Sequence, residues 1–315
     1  MRNFPAVALC VLGLLRASAQ QPPVFRGTTD VVPLFVTVID KDGRLVTNLG
    51  RDAFEVRDDG KPQPITVFDD TPRPIRLIVM LDVSSSMEGN LPLLRAASQE
   101  LIARLGPNDV ARIGTFGREV TISPTFTRDA HALLASLPDA IAPDAPTPLW
   151  RAIDQAMDTF GQESESRPVV LVLSDGKDFV PPGFRQRTVS QAEVIDRARK
   201  DEVMIYGVGM RSRPRQQPMT PGIGAGALQA MLMADFPDPG LARVAEETGG
   251  GYAEIRFGQD LGAAFARVAD ELHSQYLLGF APPKRDGRAH AISVRTARAG
   301  LTPRARKSYI APKGG

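Results

Sequence analysis

Cysteine, histidine and aromatic residues are all scarce in this chain of 315 residues. Its single cysteine is Cys10, so no disulfide can form within the chain, and the core must be largely aliphatic because only 6% of the residues are aromatic. The three histidines, His131, His273 and His290, lie far apart and show none of the spacings of a zinc site. We therefore expect these histidines to be structural or exposed.

The chain also lacks a large net charge and, after its N-terminus, any apolar run that approaches the roughly 18 residues of a membrane span. Residues 1–19 have the pattern of an export signal, with Arg2 before an apolar stretch and small residues at the cleavage position. Removal of this segment, which includes Arg2 and Arg16, leaves 36 basic and 36 acidic residues. We expect a neutral protein, exported to the periplasm or secreted, with no electrostatic basis for binding nucleic acid.

The apolar pattern divides the chain into β segments at both ends and an alternating α/β unit between them. Residues 74–258 alternate short apolar strands with helices, which predicts a doubly wound, mostly parallel sheet covered on both sides. A helix at residues 259–273 connects this unit to a C-terminal β segment, residues 274–315, which includes a predicted strand at Arg306–Ile310. This segment and the N-terminal β segment, residues 24–72, each have too few strands to be stable alone. We expect the two segments to pair in a small β-sandwich.

Residues 211–240 interrupt the alternation of strands and helices. The segment is rich in proline, glycine, glutamine and methionine and has no clear period, which is typical of a surface excursion. Its glycines at positions 222, 224 and 226 follow no predicted strand, so we do not interpret them as a nucleotide-binding loop. We expect the excursion to contribute to partner specificity.

Oxygen-donor side chains stand at the ends of the short apolar strands of the α/β unit. The strand at residues 77–81 ends in the run D-V-S-S-S, a second strand at residues 169–173 ends in S-D-G, and a lone threonine precedes the helix that begins near Leu149. The five predicted donors are Asp82, Ser84, Ser86, Thr147 and Asp175. Because open α/β sheets bind ligands at the carboxyl ends of their strands, we expect these donors to surround one point.

Helix capping is the alternative interpretation of these residues, since serine and aspartate are favoured at helix N-termini. Capping could account for Asp82, Ser84 and Ser86, but it does not require Asp175 and Thr147 as well. For Thr147 alone, which stands between two prolines, capping and ion binding are comparable interpretations.

The order D-x-S-x-S, threonine and aspartate resembles the metal-ion-dependent adhesion site (MIDAS) of the von Willebrand factor type A (VWA) domain. Asp82 to Ser86 match its first element, Thr147 fits the second, and Asp175 fits the third. Over roughly residues 30–312 the chain also resembles the exported, acidobacterial-type group of bacterial VWA-related proteins. The segments that carry this second resemblance are Phe54–Lys61, Glu246–Gly250 and Glu271–Gly279. The resemblance implies the fold and the metal site, and it implies little about the partner.

The resemblance and the donor chemistry together imply Mg²⁺ as the bound ion, with Mn²⁺ or Ca²⁺ as alternatives. The hydroxyls of Ser84 and Ser86 would bind directly, Thr147 directly or through water, and Asp82 and Asp175 mainly through water. An ion with few direct carboxylates keeps much of its charge, so an Asp or Glu of a partner protein can complete its coordination. We therefore predict a non-enzymatic, metal-dependent interaction or adhesion module.

Two other functions remain open from the sequence. The ion could polarise a substrate in a metal-assisted hydrolase, although no general base of identifiable role accompanies the donors. The chain could also be a scaffold whose metal site is non-functional or purely structural. The identity of the partner and the oligomeric state are not encoded in any motif of the sequence.

Overall fold

The computed structural model describes residues 31–141, 144–161, 166–175, 177–180, 187–210, 238–255 and 260–314. The predicted export signal and most of the predicted excursion, residues 211–237, lie outside the described residues. Within the described ranges, no helix combines the length and the apolar character needed to cross a membrane.

Strands and helices alternate through the middle of the chain, and strands prevail at both ends. The strands are β1 (Val32–Asp40), β2 (Phe54–Asp58), β3 (Lys61–Gln63), β4 (Val67–Asp69), β5 (Ile75–Asp82), β6 (Val110–Phe116), β7 (Val120–Ile122), β8 (Arg167–Ser174), β9 (Met204–Met210), β10 (Tyr252–Ile255), β11 (Tyr276–Phe280), β12 (Ala289–Thr296), β13 (Leu301–Arg304) and β14 (Ser308–Ile310). The helices of the described residues are α1 (Leu91–Ala103), α2 (Ala130–Ala135), α3 (Leu149–Asp158), α4 (Gln191–Lys200), α5 (Pro239–Thr248) and α6 (Leu261–His273).

The central sheet has the order β10-β9-β8-β5-β6-β7 among the described strands. Its strands run parallel except β7, which forms an antiparallel pair with β6. Strands β5 and β8 lie side by side in the middle of the sheet, and nearly all of their residues are buried. Helices cover both faces of the sheet at these strands, so both faces of each strand are buried. This explains why their sequences are continuously apolar.

Alternate residues of β5 point into two apolar cores on opposite faces of the central sheet. Leu77 and Val79 belong to a core completed by α1, α2 and α6. Ile78 and Met80 belong to the other core, which is completed by α3, α4 and α5. The alternation follows from the period of two along a strand, and it holds the carboxyl end of β5 in one position between the helices.

The two ends of the chain build two antiparallel sheets, with the orders β13-β1-β11-β4 and β14-β12-β2-β3 among the described strands. Strand β1 pairs with β11 and β13, and β2 pairs with β12, so both sheets combine N-terminal and C-terminal segments. Side chains of the two sheets, among them Leu34, Val56 and Tyr309, share one apolar core. The predicted fold class, a doubly wound mostly parallel sheet with a small β-sandwich from both chain ends, is confirmed.

The C-terminal strands differ in detail from the prediction. The predicted strand Arg306–Ile310 is shorter, and it is preceded by β13, which the sequence did not indicate. Strand β13 contains Pro303 and Arg304, and it lies at the edge of its sheet, where proline is tolerated. An edge strand with little apolar alternation gives no periodic signal, which explains why it was missed.

Candidate metal centre

Two of the oxygen-donor loops begin at the carboxyl ends of neighbouring strands. Asp82 is the last residue of β5 and Ser174 is the last residue of β8, and the two strands pair in parallel with Leu81 opposite Leu173. The register therefore places Asp82 beside Ser174, whose hydroxyl donates a hydrogen bond to Asp82 Oδ2. Asp175 follows directly, so both carboxylates lie at the same edge of the sheet.

Four of the five predicted donors form one hydrogen-bonded cluster. The backbone N–H of Ser84 donates to Asp82 Oδ1 at 2.8 Å. The hydroxyls of Ser84 and Ser86 lie 3.0 Å apart, and the Ser86 hydroxyl donates to Asp175 Oδ1 at 2.7 Å. The structure thus brings Asp82, Ser84, Ser86 and Asp175 together across two different loops, as expected from their positions at strand ends.

Thr147 lies in a third loop that is bonded to the other two. Its backbone exchanges two hydrogen bonds with Phe179, which follows Asp175 by four residues, at 3.0 and 2.9 Å. The N–H of Ser85 donates to the carbonyl of Ala145 at 3.4 Å and so links the first loop to the Thr147 loop. Thr147 itself is buried. The three loops therefore form a closed ring of contacts around the carboxyl end of β5.

Neither Ser84 nor Thr147 caps a helix with its hydroxyl group. Ser84 is at the N-cap of the 3-10 turn Ser85–Asn90, but it makes no capping bond with its side chain. Pro148, and not Thr147, occupies the N-cap of α3 and makes no side-chain capping bond. At the start of α3 the N–H of Trp150 is instead bound by the carboxylate of Asp178, at 3.3 Å.

The electrostatics of the cluster favour a bound cation. Asp82 and Asp175 are 0% and 1% exposed, and burial, followed by the charge of Asp175, raises the pKa of Asp82 to about 7. Hydrogen bonds from Ser174 and Ser84 oppose this shift without cancelling it. A divalent ion would relieve the repulsion between the two carboxylates, and hydroxyl and carboxylate oxygens are the donors that Mg²⁺ takes. The residues present therefore fit a hard divalent ion.

The cluster is closed on the protein side and open on the other. Ser84, Asp82 and Ser174 are buried, whereas the side chain of Ser86 is exposed to solvent. Phe179, beside Thr147, is 59% exposed, which is unusual for a large apolar side chain. A ligand from outside can therefore reach the cluster at Ser86, and the loop that carries Asp175 presents an apolar side chain to solvent.

Sequence reasoning missed two residues that shape the site. Ser174 orients Asp82 through its hydroxyl, and only the register of β5 against β8 shows this. Asp178 is half-buried and fixes the start of α3, the helix that follows Thr147. Its position three residues after Asp175 gave no signal of this role, because the contact joins two loops that are distant in sequence.

A comparison with protein families matches residues 77–177 to a model described as the von Willebrand factor type A domain. The match covers about a third of the chain and includes all five predicted donors. None of the curated proteins compared with the chain matches it.

Several solved structures are similar to the chain at low identity. They include BatB from Bacteroides thetaiotaomicron, with 16% identity over 63% of this chain and 98% of that chain and a TM-score of 0.45. A von Willebrand factor type A protein from Catenulispora acidiphila shares 12% identity over 91% of this chain and 75% of that chain, with a TM-score of 0.46. Proximal thread matrix protein 1 from the mussel byssus, in a structure with a zinc-occupied MIDAS motif, shares 17% identity over 69% of this chain and 50% of that chain, with a TM-score of 0.44. At such identities and TM-scores, these similarities carry no functional inference.

Proposed function

We propose, from the match of residues 77–177 to the von Willebrand factor type A domain, that this chain is an exported interaction module that binds a carboxylate of a partner protein through a divalent ion. The ion, Mg²⁺ in the first place, is held by the five residues Asp82, Ser84, Ser86, Thr147 and Asp175. The observation that carries the proposal is the hydrogen bond from the Ser86 hydroxyl to Asp175, which joins two loops of the predicted site in one cluster.

Each residue has a role that follows from its place in the cluster. Ser84 and Ser86 present hydroxyl oxygens, and Asp175 accepts from Ser86 and so orients its lone pairs. Both oxygens of Asp82 accept hydrogen bonds, one from the N–H of Ser84 and the other from the hydroxyl of Ser174. Its carboxylate supplies negative charge at the base of the site. The ion supplies the positive charge that attracts the partner's Asp or Glu.

The rim of the site supports binding to a protein rather than to a small solute. Phe179 lies in the loop that carries Asp175 and pairs with Thr147 through the backbone, and its side chain is largely exposed. Interfaces use such aromatic side chains as anchors next to polar contacts. A partner that presents a carboxylate to the ion would therefore also bury Phe179.

Asp82 is the residue to consider for an enzymatic role, since a pKa near 7 suits a general acid or base. Its side chain is completely buried, however, and both of its oxygens already accept hydrogen bonds. A base in this position cannot reach a substrate proton. The buried position of Asp82 supports a binding module over the metal-assisted hydrolase.

A peptide-display selection on the immobilised full chain tests the proposal. Binders selected in Mg²⁺ are expected to share an Asp or Glu at one position and to be released by EDTA. Asp82→Ala should lose this binding, and Ser85→Ala, in the same loop but outside the donor set, should keep it. Selected peptides that lack a shared carboxylate, or that stay bound in EDTA, would contradict the proposal.

Export is tested separately from binding. If residues 1–19 are removed on export, the mature protein recovered from the periplasm or the medium should begin at Gln20. Mass spectrometry of the secreted and cell-associated fractions measures this directly. A mature chain that still carries residues 1–19 would contradict the predicted export signal.

A further inference from the structure

A second group of potential metal ligands lies in the antiparallel sandwich, away from the central sheet. Asp58 ends β2, Asp59 follows it, and His290 belongs to β12, which pairs with β2. The N–H of Asp59 donates to the carbonyl of Ala291, and the N–H of Ala291 donates back to Asp59 Oδ1. The fold thus brings together an N-terminal and a C-terminal segment that are 231 residues apart at Asp59 and His290.

The three side chains converge on one point. The ring nitrogen Nδ1 of His290 lies 2.9 Å from Asp59 Oδ2 and 3.5 Å from Asp58 Oδ1. One ligand atom from each residue lies within 4.8 Å of the others. A tetrahedral zinc ion with bonds of about 2.0–2.1 Å separates its ligands by about 3.3 Å. The two distances from Nδ1 of His290, 2.9 and 3.5 Å, lie on either side of this value.

The buried oxygen of Asp58 is an independent indication of a ligand. Asp58 is 2% exposed, and the hydroxyl of Tyr309 donates to its Oδ2 at 3.1 Å. Its other oxygen, Oδ1, is buried and has no hydrogen-bond partner among the described residues. Buried carboxylate oxygens are rarely left in this state. Since Oδ1 is the atom that faces His290, an ion between them would satisfy it.

The far side of the His290 ring has the support that metal-binding histidines usually have. Asp286 Oδ1 lies 3.0 Å from Nε2 of His290. A carboxylate that accepts the Nε2 proton leaves the Nδ1 lone pair directed at Asp58 and Asp59, and it raises the basicity of the ring. Asp286 is therefore a positioning residue in this arrangement and not a ligand.

We propose that Asp58, Asp59 and His290 bind a divalent transition-metal ion of the zinc type. An imidazole nitrogen with carboxylate oxygens suits such an ion better than Mg²⁺, which takes oxygen ligands. The side chain of Asp59 is 45% exposed, so the ion has a path from solvent and a fourth position open to water. Because the ligands come from both chain ends, the ion would tie the N-terminal strand β2 to the C-terminal segment.

The competing explanation is an ion-pair network without metal, in which a protonated His290 bridges the carboxylates. Lys284 adds a cation at this edge, with its Nζ 3.7 Å from Asp59 Oδ2. The Lys284 side chain is 59% exposed and can turn away into solvent. Zinc binding itself decides between the two explanations.

The test is a titration of the metal-free full chain with Zn²⁺ by competition with a chromophoric chelator, in excess Mg²⁺, and the same titration of Asp82→Ala identifies any Zn²⁺ that binds near Asp82. One Zn²⁺ per chain is expected in the wild type. Asp59→Asn should weaken binding at least tenfold, since it removes one charged ligand, and His290→Gln should abolish it. Asp59 has a φ of 46°, a backbone conformation that asparagine tolerates, so Asp59→Asn should fold even if His290→Gln does not.

The matched control is His273→Gln. His273 Nε2 lies 2.7 Å from Asp109 Oδ2, so it is also a histidine with a carboxylate partner, but it is not part of a three-ligand group among the described residues. Zinc binding should be unchanged in this variant. No zinc binding in the wild type, equal affinity in Asp59→Asn, or an equal loss in His273→Gln would each overturn the proposal.

Discussion

The two clusters of carboxylates in this molecule differ in how the oxygens of their buried aspartate are hydrogen-bonded. At the end of β5, both oxygens of the buried Asp82 accept hydrogen bonds, and serine hydroxyls stand between it and Asp175. In the sandwich, one oxygen of the buried Asp58 has no hydrogen-bond partner among the described residues, and the neighbouring group is an imidazole. The hydroxyls of the first cluster fit a hard ion, and the carboxylates and the ring nitrogen of the second fit a softer one.

The largest expected effect separates the two sites by a single substitution. Asp82→Ala removes the residue that holds the Ser84 loop and half of the local negative charge, so the affinity for Mg²⁺ should fall by about 100-fold or more. Its affinity for Zn²⁺ in the sandwich should stay at the wild-type value. Isothermal titration with each ion measures both, and Ser85→Ala serves as the control. A parallel loss of both ions would show that the variant has only unfolded.

The hydrogen-bonded cluster near Asp82 could be predicted from the sequence because its signals are local. Three donors stand in one loop of five residues, Asp175 follows a second buried strand as Asp82 follows the first, and Thr147 precedes a helix. The continuous apolar runs of β5 and β8 indicated a parallel sheet for the same reason. The role of Ser174 could not be predicted, because it depends on the register of β8 against β5.

The cluster in the sandwich gave no such signal. Asp58 and Asp59 meet His290 only through the antiparallel pairing of β2 with β12. The spacing patterns of zinc sites, in contrast, consist of ligands that lie close together in sequence. Nothing in the sequence indicated that His290, which is buried, lies beside two carboxylates. Sequence patterns do not show which strands from the two ends of the chain pair with each other.

A second prediction concerns the hydrogen bond that holds Asp58. Tyr309→Phe removes the donor to Oδ2 and leaves a buried carboxylate with fewer partners, which should cost about 1–3 kcal/mol of the free energy of unfolding. Excess Zn²⁺ should recover part of this loss, because an ion satisfies the carboxylate in another way. Urea unfolding with and without Zn²⁺ measures both effects. Zn²⁺ should raise the free energy of unfolding of Tyr309→Phe more than that of Asp59→Asn, in which one ligand is altered. An equal increase in the two variants would contradict binding of the ion at Asp58.

A third prediction concerns the pair His273–Asp109 and the pH dependence of the free energy of unfolding. The hydrogen bond to Asp109 is the main cause that raises the pKa of His273 above its usual value of 6.5, and burial opposes it. A raised folded-state pKa adds stability that is complete below pH 6.5 and is lost as the pH rises through the folded pKa. The wild type should therefore lose more stability than His273→Gln as the pH rises from about 6 to about 8. Equal pH dependence of the two proteins in urea unfolding would contradict this assignment.

The smallest expected effect concerns Lys284. Its ammonium group lies near Asp59 and repels an incoming cation, although its exposure to solvent weakens this repulsion. Lys284→Ala should bind Zn²⁺ severalfold more tightly than the wild type, and the difference should shrink at high salt. The same substitution should leave Mg²⁺ binding near Asp82 unchanged. A weaker affinity for Zn²⁺ in Lys284→Ala would contradict a cation site beside Asp59.

The proposed function requires that an ion at Asp82, Ser84, Ser86, Thr147 and Asp175 binds an acidic side chain of a partner. The most direct measurement compares a peptide selected in Mg²⁺ with the same peptide in which its shared Asp or Glu is replaced by the amide, each in Mg²⁺ and in EDTA. We expect the amide peptide in Mg²⁺ to bind no better than the acidic peptide in EDTA. An amide peptide that binds in Mg²⁺ as tightly as the acidic one would contradict it.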